Sequence, residues 1–330
     1  MTGDRKMKMH GRKSAAVFAA MALFMVMSAA SQTAKADEVT VTDDMGREVT
    51  FTEQPHRVAP LIGSFADIWI LAGGQDSIVA TAHDAWTSFS FELGEDVVDL
   101  GGVRDLSLEQ LLTAEPDLVI GSINTSEDTD ILPMLEEMGI QALYFEVDTF
   151  EQYLHMLDIC TQVTGNRENY RLYGEDVKAQ VDAAIERQDG SEPSVLYIRA
   201  SGSSAKSKGS EGNVLGEMLA DLGCQNIADE EPSLLENLSL EAILQADPMH
   251  IFIVYQGADP TEAQALLQET LLENPAWQTL TAVKEGRCHV MSHRLFNLKP
   301  NAYWGESYET VAEILYGERS AAGSASGGAD

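Results

Sequence analysis

Two short stretches of this 330-residue chain gather positive charge. RASGSSAKSKGS (residues 199–210) and SHRLFNLKP (residues 292–300) hold Arg199, Lys206, Lys208, Arg294 and Lys299, with His293 beside them. Guanidinium and ammonium groups of this kind recognise the negative groups of a ligand by charge-assisted hydrogen bonds. The rest of the chain is strongly acidic. Of its 21 Lys/Arg and 53 Asp/Glu, six and one fall in the first 36 residues, leaving 15 and 52, a formal charge of −37. Positive charge concentrated in so acidic a chain points to an anionic ligand. The opposing consideration is that surface loops collect lysines, and SSAKSKGSEG reads as a flexible, exposed loop. Aromatic residues accompany the cations. Trp86, Phe89 and Phe91 lie in one cluster and Phe296, Tyr303 and Trp304 in another, while Trp69 is expected to face the core. Apolar walls with a few polar anchors suit a small-molecule cleft.

Other chemistries find less support. His83-Asp84 is a candidate metal-ligating pair, but a lone His at a strand end more often makes a hydrogen bond. The six histidines beyond residue 36 are scattered and form no cage, so no metal site is expected. Cys160, Cys224 and Cys288 give neither CxxC nor a metal-ligand spacing; buried thiols are the default, and one disulfide of unknown pairing is allowed. There is no G-x-S-x-G, H-E-x-x-H, phosphate-binding glycine loop or Cys–His pair, so no catalytic residue is assigned. A negative surface repels nucleic acid and anionic membrane.

The elements that must position these residues alternate between strand and helix. Residues 39–51 read as a hairpin turning at Met45-Gly46-Arg47. Short buried strands follow at 58–62, 78–82, 118–121 and 143–147, with helices between them. Residues 149–187 are helical, split at Gly165, and the part from 167 on reads as a helix crossing between lobes. Strands resume at 195–199, 250–255 and 288–292, and the last helix covers 305–316. This alternation argues for parallel, doubly wound α/β layers. Ligands of such sheets bind beyond the carboxyl ends of the strands. Here those ends include 63–65, 83–86, 121–124, 148–149, 199–210, 256–259 and 293–304.

One pattern is written twice. LSLEQLLTAEPDLVI begins at Leu106, and LSLEAILQADPMHIFI begins 132 residues later at Leu238. Each reads as a helix, a proline break (Pro116, Pro248) and a buried strand. Ser107 with Gln110 has the form of a capping box. Glu109 and Glu241 fall at matching places in the first helical turn, where a carboxylate also favours the helix dipole. The chain therefore reads as two similar α/β lobes.

Several segments together carry a family resemblance. DMGREV from Asp44, PHRV from Pro55, Gly101-Gly102 before LEQLLTAEPDLVI, and AVKEGR from Ala282 resemble the solute-binding proteins of ABC importers for iron–siderophore, haem and vitamin B12. The resemblance covers about residues 39–316. It implies two α/β lobes joined by a rigid helix with the ligand in the cleft between them, and one glutamate per lobe docking on arginines of the permease dimer. By motif position these are Glu109 and Glu241. The second copy departs from the family where Pro248 is followed by Met249 in place of Asp.

The expectation is thus a periplasmic solute-binding protein. It captures a metal chelate, most simply a ferric siderophore, and delivers it to an inner-membrane permease with its ATPase. Haem or a corrinoid is the alternative within the family; a chelatase-like enzyme or a sensor module lies outside it. Ligand contacts are expected from His83, Trp86, Arg199, Lys206, Lys208, Arg294, Tyr303 and Trp304. No resident cofactor is expected, and a monomer is. Residues 1–36 have the basic start, apolar run and Ala34-Lys35-Ala36 of a cleaved export signal. No cysteine lies near that site to take a lipid anchor. Residues 37–165 and 191–317 are assigned to the lobes, 166–190 to the linking helix and 318–330 to a flexible tail.

Overall fold

A computed structural model describes residues 38–317 apart from Ser90, Asn237 and Ala258. The expected export signal at 1–36 and the tail at 318–330 lie outside the described residues.

Val39–Thr42 (β1) and Glu48–Phe51 (β2) form the antiparallel hairpin. Its turn is fixed by one buried carboxylate. Asp43 accepts the N–H groups of Met45 and Arg47 and pairs with the Arg47 guanidinium at 2.5 Å. Gly46 supplies the positive φ the turn requires. Arg47 also donates to the Ala142 carbonyl, which docks the hairpin on the first sheet.

That sheet holds Val58–Pro60 (β3), Leu118–Ser122 (β6) and Gln141–Phe145 (β7), parallel in the order β3-β6-β7. Ala80–Thr81 (β4) and Val98–Asp99 (β5) extend it beyond β3, through a bridge from Val58 to Ile78. The second sheet holds Ser194–Ala200 (β8), Gln225–Asn226 (β10), His250–Tyr255 (β11) and Cys288–Met291 (β12), parallel in the order β10-β8-β11-β12. Strands β6 and β11 are buried along their whole length, as the central strands of parallel sheets covered on both faces must be.

The doubled pattern is a doubled structure. The helices Leu108–Thr113 and Leu240–Ala246 are capped by Ser107 and Ser239, whose hydroxyls accept the N–H groups of Gln110 and Ala242. Both chains then turn through a left-handed residue just before the proline, Glu115 at φ 46° and Asp247 at φ 41°. The Asp117 N–H bonds to the Arg57 carbonyl, and its counterpart Met249 bonds to the Ser194 carbonyl. Only half of the expected capping box at Ser107 forms, because its own N–H goes to the Leu100 carbonyl. A complete box instead starts the helix Phe150–Val163, between Thr149 and Gln152. At the position of Met249 the first copy has Asp117, whose carboxylate holds the His56 and Arg57 N–H groups; the Met249 N–H instead also reaches the Ser194 hydroxyl.

The helical stretch after β7 is broken at Gly165, which adopts φ 72°. It resumes as Arg167–Tyr170, widens to a π turn over Arg171–Glu175 and ends as Asp176–Ile185. One apolar core runs beneath both sheets and takes in Val58, Leu118 and Phe145 with Val195, Tyr197 and Phe252. Phe150, Tyr153, Trp304 and Tyr308 stack within it, tying the helix Phe150–Val163 to the last helix, Trp304–Tyr316.

Residues 205–208 correct the sequence reading. Ala205–Lys208 (β9) is a strand, antiparallel to β8, and not a free loop. The three cysteines are free. Among the described residues no helix is long and apolar enough to cross a membrane.

Candidate binding cleft

A cavity of about 740 Å³ opens where the carboxyl ends of both sheets meet. The first sheet contributes Ile62 and Ser64 after β3, Asp84 after β4, Arg104 after β5, Ser122 and Asn124 at the end of β6, and Glu146 and Asp148 after β7. The second contributes Arg199 from β8 and Asn297, Leu298 and Lys299 beyond β12. Strand ends, where chain direction brings many short loops together, thus form the site as the sheet topology requires.

Two ion pairs join the halves. Lys299 Nζ lies 2.5 Å from Asp148 Oδ1, inside the cavity wall. Arg294 Nη2 lies 2.9 Å from Asp67 Oδ2, and Asn301 donates to the same oxygen and to the Ser64 carbonyl. Arg294 is further held by the Lys299 carbonyl and stands over the Phe89 ring at 4.3 Å. Burial pushes the Asp67 carboxyl above its ordinary range, against the pull of Asn301 and Arg294. Asn301 is fully buried and takes φ 58°, a strained conformation for a side-chain-bearing residue at this junction.

The structure divides the expected ligand contacts. Arg199 lines the cavity, and among the described residues no carboxylate pairs with it. Lys206 and Lys208 sit on β9, opposite Arg199 and Tyr197 in register, but outside the cavity lining. Burial, then Arg199 and Lys206, push the Lys208 ammonium below its ordinary pKa. Arg294 is committed to Asp67. Tyr303 is 52% exposed and its ring faces Arg294 at 5.9 Å, so it belongs to the seam. Trp304 is completely buried in the core, because its ring fills the space between Phe150, Tyr153 and Tyr308. Trp86 is half-buried and outside the lining. His83 is exposed, with Nδ1 2.6 Å from Asp99 Oδ2, and is likewise outside it.

Several lining residues were not singled out by sequence. Asn124 and Asp148 fall within the strand ends named above, and that position is the signal that finds them. Asn124 donates toward Asp148 at 3.1 Å and toward Glu146 at 3.4 Å. Asp84, considered above with His83 as a metal-ligating pair, lines the cavity without His83; it accepts the Gly63 N–H at 2.9 Å, and burial raises its carboxyl to about 6 against that bond. Glu127 and Glu146 carried no signal in a chain this rich in acids. Among the described residues no group of three His, Cys, Asp or Glu is arranged to hold a metal ion.

Glu109 and Glu241 are exposed in the first turns of their helices. A helix that precedes a strand in a parallel layer runs opposite to it. Both first turns therefore lie at the carboxyl ends of the sheets, on the side where the cavity opens.

A two-sheet α/β chain with its cavity between the strand ends is the architecture of a binding protein. The chain belongs to the periplasmic binding protein family, whose sequence model matches residues 58–295. It is 21% identical over 328 residues to YvrC of Bacillus subtilis, an uncharacterized ABC transporter substrate-binding lipoprotein, covering 92% of this chain and 98% of the relative. It is also 21% identical to the iron-uptake system-binding protein of the same organism, over 67% of this chain and 68% of that one. Among solved structures, the fold matches the periplasmic haem-binding protein RhuT of a Roseiflexus species with a TM-score of 0.64 at 20% identity, over 79% of this chain and 98% of that one. It matches Staphylococcus aureus SirA, solved with staphyloferrin B, with a TM-score of 0.63 at 19% identity, over 84% and 97%.

Proposed function

We propose that this chain is the solute-binding component of an ABC importer, and that it captures a metal chelate and delivers it to a permease dimer with its ATPase. The observation that carries the reading is the 740 Å³ cavity between the strand ends of both sheets, in a chain of this family. A cavity of that size encloses a ligand of drug size. The relatives named for iron uptake, haem and staphyloferrin B support a chelate as cargo. Binding and release need no bond to be made, and no catalytic role is assigned to any residue. Export by cleavage after residue 36, action as a monomer, and lobes at 37–165 and 191–317 about a linker at 166–190 belong to the same proposal.

The lining favours a polar chelate over haem or a corrinoid. Its apolar members are Ile62, Val103 and Leu298, and no aromatic, His, Met or Cys side chain is among them. A flat macrocycle buries its faces against apolar or aromatic walls and takes an axial ligand from such a side chain. This cavity offers hydroxyls, amides and charges.

Calorimetric titration tests the reading. The panel is ferric hydroxamate, catecholate and citrate complexes, haemin, cyanocobalamin, and bare ferric and zinc ions. One ferric chelate is expected to bind with Kd near or below about 1 μM, and bare ions not at all. Arg199→Met is expected to weaken that chelate by about tenfold or more, the loss of one charge-assisted contact. Tight binding of a bare ion, or silence toward every chelate, contradicts the proposal.

A further inference from the structure

We infer that the cleft selects a chelate of low net charge, with an ammonium or other donor-rich end, and discriminates against polyanionic chelates. The inference rests on the proposed function and specifies its cargo. Sequence alone pointed the other way, toward an anion. The structure removes most of that argument.

Of the five clustered cations, Arg294 is neutralised by Asp67 and Lys299 by Asp148. Lys206 and Lys208 stand on β9 outside the lining. Arg199 is the one member of the set that faces the cavity without a carboxylate partner among the described residues. Across from it the first sheet presents Glu146 and Glu127, neither of them in an ion pair among the described residues. Arg104, also in the lining, acts on Glu127 electrostatically without forming an ion pair. Asp84 is also in the lining, where burial raises its carboxyl to about 6. The cavity is therefore bipolar: one guanidinium on the second sheet faces carboxylates on the first.

A polyanion entering this space brings its charges against Glu146 and Glu127 as water leaves, and only Arg199 and Arg104 are free to answer them. The net charge of the chain, −32 overall, adds repulsion during approach. A chelate with metal-bound oxygens toward Arg199 and an ammonium toward Glu146 meets no such opposition. Asn124, between Glu146 and Asp148, offers an amide to the same end of the ligand.

The test holds the metal centre constant and changes one tail. A linear trihydroxamate neutralises ferric iron, so its terminal amine sets the net charge. Left free it gives one positive charge, acetylated none, and succinylated one negative charge. Calorimetric titration of the protein is expected to rank them in that order, with about tenfold or more between the free amine and the succinylated form. Glu146→Gln with Glu127→Gln, which keeps shape and removes charge, is expected to erase the ranking. Tighter binding of the succinylated form, or binding of ferric citrate in preference to all three, overturns the inference and leaves the chelate-binding reading intact. An unchanged ranking in the double variant also overturns it. Failure of all three complexes to bind overturns the inference, and silence toward every chelate of the panel overturns both.

Discussion

Cells carrying Glu109→Ala together with Glu241→Ala are expected to lose uptake of the chelate, while the purified double variant binds it with unchanged affinity. Both carboxylates are exposed and lie on first helical turns at the cavity side of each sheet. Neither lines the cavity. A pair of negative groups, one from each repeat, suits a two-fold permease surface carrying arginines. The structural cost of the change is small. A carboxylate in a first turn contributes about 0.3–1 kcal/mol, and Ser107 and Ser239 continue to cap the helices. Each single variant is expected to retain part of the uptake. Normal uptake by the double variant refutes docking through these residues, and lost affinity shows that they serve the cleft instead.

The second large effect lies at the seam. Arg294→Met is expected to destabilise the protein by about 2–4 kcal/mol in urea unfolding at neutral pH, because it strands a buried carboxylate. Asp67 then keeps only the Asn301 amide. The pH dependence follows from the sign of its shift. The folded-state pKa of Asp67 is raised, so the unfolded chain gives up this proton first as pH rises, and ionisation opposes folding. Removing the guanidinium raises it further. The deficit is therefore largest where Asp67 is ionised and shrinks as pH falls through the raised folded pKa. Adding Asp67→Asn is expected to recover most of the loss. A deficit that does not change with pH, or a double variant as unstable as the single, refutes the pairing as its cause.

Much of the fold was legible because it is written in period and punctuation. The buried runs of β6 and β11, the turn at Gly46, the break at Gly165 and the doubled Leu-Ser-Leu-Glu each have local causes. Strand β9 was missed because AKSK has neither apolar alternation nor strand propensity; pairing with β8 makes it a strand. The site was legible as a place and not as a set of residues. Strand ends located Arg199, Asn124 and Asp148. They did not show that Arg294 and Lys299 would find carboxylates 227 and 151 residues away in sequence. Nor did they show that Trp304 turns inward to the core. Such pairings depend on how the two sheets meet, which no short stretch of sequence records.

The central claim is that cargo sits between the strand ends of the two sheets. Crystals grown with the tightest-binding ferric chelate, measured at the iron absorption edge, test it most directly. The account predicts one anomalous peak inside the cavity, with chelate oxygens facing Arg199 and density against Ser122 and Asn124. An iron peak outside this cavity, or bound directly by His83 and Asp99 on the surface, would contradict it.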